Sequence, residues 1–421
     1  MRHFSFILVL TFLFGASASA QDRFVKSGND RFSIKAQTYI GYYAMPSGNM
    51  EDIDPSAPTG LNFGIEFPSS QQRPWQQYLN NPTVGLGLSY IDFGDDIMGK
   101  GIAMYPYIML NAFRLEHFHL KVKLGAGVAG VNEVYKTTLN EVYANHTFSS
   151  FINAYLTGGL NLEFPITRNL KINGEFGFFH ISNGRVVEPN KGANVLYGGI
   201  GLVATLNPDE KDEKEPMTFP DLPYGWALNF TLSSGAHAAD VEDHRRFMIM
   251  SAHAGAVYNV CNWYAVGPGV DVFYNDAIGN ETNRGMYKRT ENKWKRIRGG
   301  VSLNNEFKFG DVSALVGMGL YLYNPVRHLY TNENPLYVGV RRPLFYKTDG
   351  AGTEEACHYI RFGLRYRVYD NIYLQALAKT HFHICELVEF GIGYQIPFFK
   401  KGRGNGDSKI FHNRRDWWQN Y

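Results

Sequence analysis

Thr83-Val84-Gly85-Leu86-Gly87-Leu88-Ser89-Tyr90 is the stretch whose reading decides the fold. In an extended chain successive side chains point to opposite faces, so Val84, Leu86, Leu88 and Tyr90 share one face while Gly85, Gly87 and Ser89 share the other. One face is large and apolar and the other is nearly bare, which suits a wall with hydrocarbon outside and a crowded lumen inside. Gly199-Ile200-Gly201-Leu202-Val203-Ala204-Thr205-Leu206 repeats the pattern, with Ile200, Leu202, Ala204 and Leu206 outward. These runs are too short, and too rich in β-branched and aromatic residues, for helices.

Working outward, similar segments recur along the chain. In the first half strands are expected near 32–44, 59–67, 83–93, 101–114, 117–130, 151–164, 169–183 and 194–206; in the second, near 225–237, 246–258, 264–275, 298–309, 312–323, 356–369, 371–380 and 386–396. Tight connections such as Arg114-Leu115-Glu116-His117 alternate with long ones such as 132–149 and 184–193, the habit of outer-membrane barrels; the long 69–81 connection is an exception on the tight side. The fold class is therefore all-β, an antiparallel outer-membrane barrel. Two runs of eight strands fit two tandem eight-stranded barrels, with one sixteen-stranded barrel as the alternative.

Composition agrees. The 421 residues include 44 Gly and 15% aromatics but only 19% charged residues, and the net charge of +2 gives no reason to expect a nucleic-acid partner. No apolar run after the N-terminus reaches the length of a membrane-spanning helix. Met1-Arg2-His3, the apolar run Phe4 to Gly15 and Ala18-Ser19-Ala20 read as a cleaved signal peptide over 1–20, so export to the outer membrane is expected. Barrel-like halves are expected over 21–206 and 223–398, separated by a charged linker (207–222) and followed by a basic tail (399–421). Of the three cysteines, Cys261, Cys357 and Cys385, a Cys261–Cys357 bridge is compatible with export, but a disulfide framework is not. No zinc-ligand pattern occurs, and neither a metal nor a cofactor is expected.

One segment carries chemistry: Phe176-Gly177-Phe178-Phe179-His180-Ile181-Ser182-Asn183-Gly184, followed by Glu188-Pro189-Asn190-Lys191-Gly192-Ala193-Asn194. His180 and Ser182 share a face with Phe176 and Phe178, so a hydroxyl and an imidazole end an otherwise lipid-facing stripe. Polar groups there are costly and call for a function. With a periplasmic N-terminus, the connection after the seventh strand lies outside and places both near the outer leaflet. A serine becomes a nucleophile when a base within hydrogen-bond reach takes its proton. By itself an H-x-S pair fits two interfacial residues bonded to loop groups.

The longer pattern, His180-x-Ser182-Asn183 with Pro189-Asn190-x-Gly192, resembles the lipid A 3-O-deacylases and acyloxyacyl hydrolases of bacterial outer membranes, over residues 25–206. The resemblance implies an eight-stranded barrel with a serine-hydrolase site on its lipid-facing wall, removing an ester-linked acyl chain from lipid A. It implies Ser182 as nucleophile, His180 as general base and Asn183 as a support for the oxyanion. The family places an acidic residue where Asn194 stands. An amide there fixes the histidine tautomer but cannot compensate an imidazolium by charge; Glu188, in the same loop, is the alternative orienting acid. The expected partner is lipid A or lipopolysaccharide in the outer leaflet, and the contrasting reading is a non-catalytic barrel that binds lipid or envelope proteins.

The second half holds an echo, Thr380-His381-Phe382-His383-Ile384-Cys385-Glu386, with Cys385 where Ser182 falls. It reads as a diverged copy that has lost its site, with a His383–Cys385 nucleophile as the alternative. Arg284, Lys288, Arg289, Lys293, Lys295, Arg296 and Arg298 crowd one expected outer loop, which is either a grip on lipopolysaccharide phosphates or a solvated loop.

Overall fold

The computed structural model describes residues 32–44, 56–69, 74–115, 117–136, 145–206, 225–238, 245–278, 291–325, 357–381 and 384–399. The signal peptide, the linker, the tail after Phe399, Arg284, Lys288, Arg289 and His383 lie outside these residues. The chain forms two compact units, each built on one closed barrel.

The first barrel runs β1 (Phe32–Tyr43), β2 (Thr59–Pro68), β3 (Thr83–Asp92), β4 (Lys100–Arg114), β5 (His119–Val131), β6 (Ile152–Pro165), β7 (Leu170–Ser182) and β8 (Ala193–Leu206). Each strand pairs antiparallel with the next, and β1 closes on β8 from Phe32↔Leu206 to Tyr43↔Val195. The second barrel runs β9 (Gly225–Ala238), β10 (Arg246–Cys261), β11 (Tyr264–Asn275), β12 (Ile297–Phe309), β13 (Val312–Tyr323), β14 (His358–Tyr369), β15 (Ile372–His381) and β16 (Ile384–Phe399), with β9 closing on β16. The structure thus has two eight-stranded barrels and not one of sixteen strands. The exceptional connection between β2 and β3 carries the short helix α1 (Pro74–Tyr78). Of the tight turns, Gly310-Asp311 joins Phe309 to its partner Val312, and Gly310 takes φ +75°, a conformation that favours glycine in a two-residue hairpin.

Alternation follows the sequence. Leu86, Leu88 and Tyr90 are exposed on the outer wall, while Gly85 and Gly87 face inward. An eight-stranded barrel has just enough interior for its own side chains, and here those side chains are large. A Cβ on Gly85 would lie 2.4 Å from the Tyr107 ring, and one on Gly87 would lie 2.5 Å from that of Tyr105. The loop-side half of the lumen is a cluster of rings from Tyr39, Tyr105, Tyr155, Phe179 and Tyr197.

Deeper in the lumen, charge is buried in pairs. Glu175 accepts from Lys35 at 2.5 Å, Lys123 at 2.9 Å and the Tyr197 hydroxyl, and Glu163 accepts from Lys121 and Lys171. The second lumen follows the same rule with different residues. Arg361 bridges Asp271 (2.7 Å) and Glu389 (2.5 Å), while Arg298 and Lys379 share Glu386. Lys379 also lies 3.9 Å over the Phe273 ring. The three cysteines are free, so the Cys261–Cys357 bridge is not made.

Because Glu175 holds two buried lysines, removing it leaves both charges stranded. Glu175→Ala is expected to destabilise the first barrel by about 3–5 kcal/mol. It should appear as a lower thermal midpoint for the loss of heat-modifiable gel mobility, with a much smaller change for exposed Lys136→Ala.

Candidate functional site

Three side chains meet on the outer wall of the first barrel at its long-loop end. His180 projects from β7 on the same face as Phe176, which is 62% exposed, and Phe178. Antiparallel register sets Asn194 of β8 directly across from it (His180↔Asn194). Ser182 follows two residues along β7, beside Ala154 of β6. The geometry is a relay: Asn194 Oδ1 stands 2.8 Å from His180 Nδ1, and His180 Nε2 stands 2.8 Å from Ser182 Oγ. A carbonyl oxygen only accepts, so the contact requires the proton on Nδ1. Nε2 is then left as the acceptor for the serine hydroxyl. Ser182 is 7% exposed and His180 half-buried, so the pair sits in the wall and does not extend from it.

The loop 183–192 is tied down at both ends. The Asn183 backbone N–H donates to Asn190 Oδ1 at 3.1 Å, and its side-chain amide donates to Ser149 Oγ at 3.0 Å. Lys191 and Gly192 donate their backbone N–H groups to the carbonyls of His146 and Thr147. The segment they lean on is shaped by Asn145, whose side-chain oxygen accepts from the N–H groups of Thr147 and Phe148 and whose amide donates to the carbonyls of Ile97 and Glu133. Gly192 takes φ +69° and presses close: a Cβ there would lie 2.8 Å from Ile181 O, 3.0 Å from Ser182 Cβ and 3.1 Å from His180 Cε1.

The structure brings together His180, Ser182 and Asn194, and keeps Asn183 beside them as a tie of the loop. It does not bring Glu188 to the histidine. Glu188 holds Arg185 at 2.7 Å, and both ring nitrogens of His180 are already engaged. Sequence reading missed Asn145, Thr147 and Ser149. They lie in an aperiodic connection, and nothing in its residue order shows that it supports the next loop but one. Among the described residues, no group of three or more His, Cys, Asp or Glu side chains is arranged to hold a metal ion.

Among its described residues, the second barrel does not repeat the site. Cys385 belongs to β16, across from Thr380 of β15, so it cannot occupy the strand position of Ser182. Its thiol contacts the Leu387 carbonyl at 3.5 Å, and the His381 ring is buried against the Tyr321 hydroxyl at 3.1 Å. The β15–β16 hairpin is too short for a loop like 183–192. Two members of the expected basic loop are also committed elsewhere: Arg298 is fully buried on Glu386, and Arg296 pairs with Asp276.

Residues 59–202 match the lipid A 3-O-deacylase (PagL) family, and residues 226–341 and 344–400 match the acyloxyacyl hydrolase C-terminal domain. Among solved structures, the chain is similar to the outer membrane enzyme PagL at 14% identity, over 40% of this chain and 97% of that one, with a TM-score of 0.27. It is similar to Neisserial surface protein A at 10% identity, over 42% and 95%, with a TM-score of 0.25. A mutant of the Rh. blastica porin aligns at 11% identity over 87% of this chain and all of that one, with a TM-score of 0.16. No curated protein matches the chain.

The close approach of Gly192 generates a test that needs no substrate. Gly192→Ala places a methyl group against the serine–histidine pair and strains a left-handed backbone. Labelling of the folded protein by a fluorophosphonate probe, which reports an activated serine, should fall at least about tenfold, the scale of about 1.4 kcal/mol of lost alignment. Unchanged labelling would mean that Gly192 does not set the geometry of the pair.

Proposed function

We propose that this chain, which belongs to the lipid A 3-O-deacylase (PagL) and acyloxyacyl hydrolase family, is an outer-membrane serine esterase that removes an ester-linked acyl chain from lipid A or a related lipid. One observation carries the reading: a hydrogen-bonded Asn194–His180–Ser182 relay set in a wall whose other side chains are hydrocarbon-facing. A relay in that place meets a substrate whose acyl chains already lie along the wall.

In this mechanism Ser182 Oγ attacks the ester carbonyl carbon while His180 Nε2 takes its proton. The tetrahedral intermediate collapses as His180 returns that proton to the departing sugar oxygen, leaving an acyl-serine. Water, deprotonated by the same nitrogen, releases the fatty acid and restores the serine. Asn194 keeps the proton on Nδ1 throughout. Asn183 is the proposed oxyanion support; its amide would exchange the Ser149 hydroxyl for the developing negative charge, a stronger acceptor. Asn194 supplies orientation without charge, so the imidazolium of the transition state is less stabilised than beside a carboxylate.

The contrasting reading, a barrel that binds without catalysis, is favoured for the second half, where Cys385 and His381 form no such relay.

Mass spectra of lipid A from outer membranes containing the protein should show a missing acyl chain, and Ser182→Ala should restore it. An intact lipid with the parent protein defeats the esterase reading, and loss of the chain in both proteins removes Ser182 as nucleophile. In a companion measurement, Asn194→Asp is expected to raise kcat at least about tenfold. That is a small part of the roughly four orders of magnitude that the reverse change costs in a serine protease.

A further inference from the structure

The second barrel has a wall feature for which an ester-cleaving relay in the first barrel has no use. A furrow of about 940 Å³ crosses the outer faces of β9 to β14. Phe230, Leu303, Met318 and Leu320 stand high beside it, each between 45% and 60% exposed, and small Ala254 and Ala256 of β10 are part of its lining. Its volume is that of a ligand site, and its lining is almost wholly apolar. On a bilayer-facing wall such a space is filled by hydrocarbon chains.

The long-loop end of the same wall is basic. A 3-10 turn, Lys293–Arg296, leads into β12, with Asn292 capping it by accepting from the Trp294 N–H. Trp294 is 73% exposed, and the Tyr323 hydroxyl reaches its carbonyl at 3.5 Å. Leu322, next to Tyr323 on β13, is 76% exposed. A bare Trp and Tyr above a bare Leu mark the level where hydrocarbon meets headgroups. Arg296 is neutralised by Asp276, whereas Lys293 and Lys295 are exposed and have no ion-pair partner among the described residues. Glu291 is the acidic group on the same segment. Val301, on the furrow, lies four residues along β12 from Ile297, about 13 Å below the turn at strand rise. A single lipid molecule spans that distance.

We propose that this wall is a lipid-binding site for a phosphorylated, multiply acylated glycolipid of the same leaflet. The acyl chains would lie in the furrow, and the phosphate between the ammonium groups of Lys293 and Lys295. The proposal rests on the esterase reading only for the leaflet, and it gives the second barrel a role of its own in retaining phosphorylated lipid. An ammonium is a compact charge suited to phosphate, and each basic group near a membrane surface adds appreciably to binding.

The test uses full-length protein carrying Ser182→Ala, so that no turnover occurs. Purified in detergent, it is titrated by native mass spectrometry with lipid A bearing both phosphates, and with the same lipid after dephosphorylation. Adding Lys293→Gln with Lys295→Gln should weaken one bound-lipid event about tenfold for the phosphorylated lipid and leave the dephosphorylated one unchanged. Ala254→Trp, which fills the furrow, should weaken the same event, with heat-modifiable mobility as the check on folding. Equal binding by the parent and the double-glutamine variant overturns the proposal, as does equal binding of the two lipids by the parent. Every protein titrated lacks Ser182, so the result stands apart from whether Ser182 cleaves an ester.

Discussion

Closure of eight strands on themselves governs everything else in each half of this protein. It removes both sheet edges and divides the side chains into an inner set with almost no room and an outer set facing hydrocarbon. Inside, aromatic rings fill the space opposite glycines, as Tyr105 does over Gly87, and carboxylates are held by cations, as Glu175 is by Lys35 and Lys123. Such groups are tolerable only when paired, because water cannot reach them.

Outside, the same rule makes any polar cluster conspicuous. His180, Ser182 and Asn194 are tied to one another on a wall of Phe176, Phe178 and Leu196. Antiparallel register does the positioning: one pair, His180↔Asn194, sets the imidazole against the amide, and the pleat brings Ser182 to the other ring nitrogen. The loop ties through Asn183, Asn190 and Gly192 then keep the serine where the strand delivers it. The lipid-binding wall proposed for the second barrel follows the same logic, with apolar side chains lining the furrow and exposed lysines at the loop end.

Much of this was legible in the residue order. Strand positions were readable to within a few residues, because period-two alternation and short turn signals are local properties. The pairing of His180 with Ser182 on one outer face was readable from parity alone. Other features depended on partners far along the chain. Arg298 looked like part of a basic outer loop, yet it is the first inward residue of β12 and is buried on Glu386. Cys385 looked like the counterpart of Ser182, yet it lies on β16, across from Thr380 of β15. Glu188 was near enough in sequence to serve His180, but it pairs with Arg185.

The sequence by itself determined the barrel class, the strand positions to within a few residues, the outward faces of β3, β7 and β8, and the placing of a histidine and a serine on one face. All of these follow from alternation and spacing within one strand or one loop. Only the tertiary structure decided that β1 closes on β8 and β9 on β16, making two barrels of eight. It alone showed that Asn194 and not Glu188 holds the histidine, and that the 145–149 segment braces the loop beside the serine. Those outcomes depend on which strands become neighbours and at what register, and that is settled by the closure of the whole sheet and not by any short stretch of it.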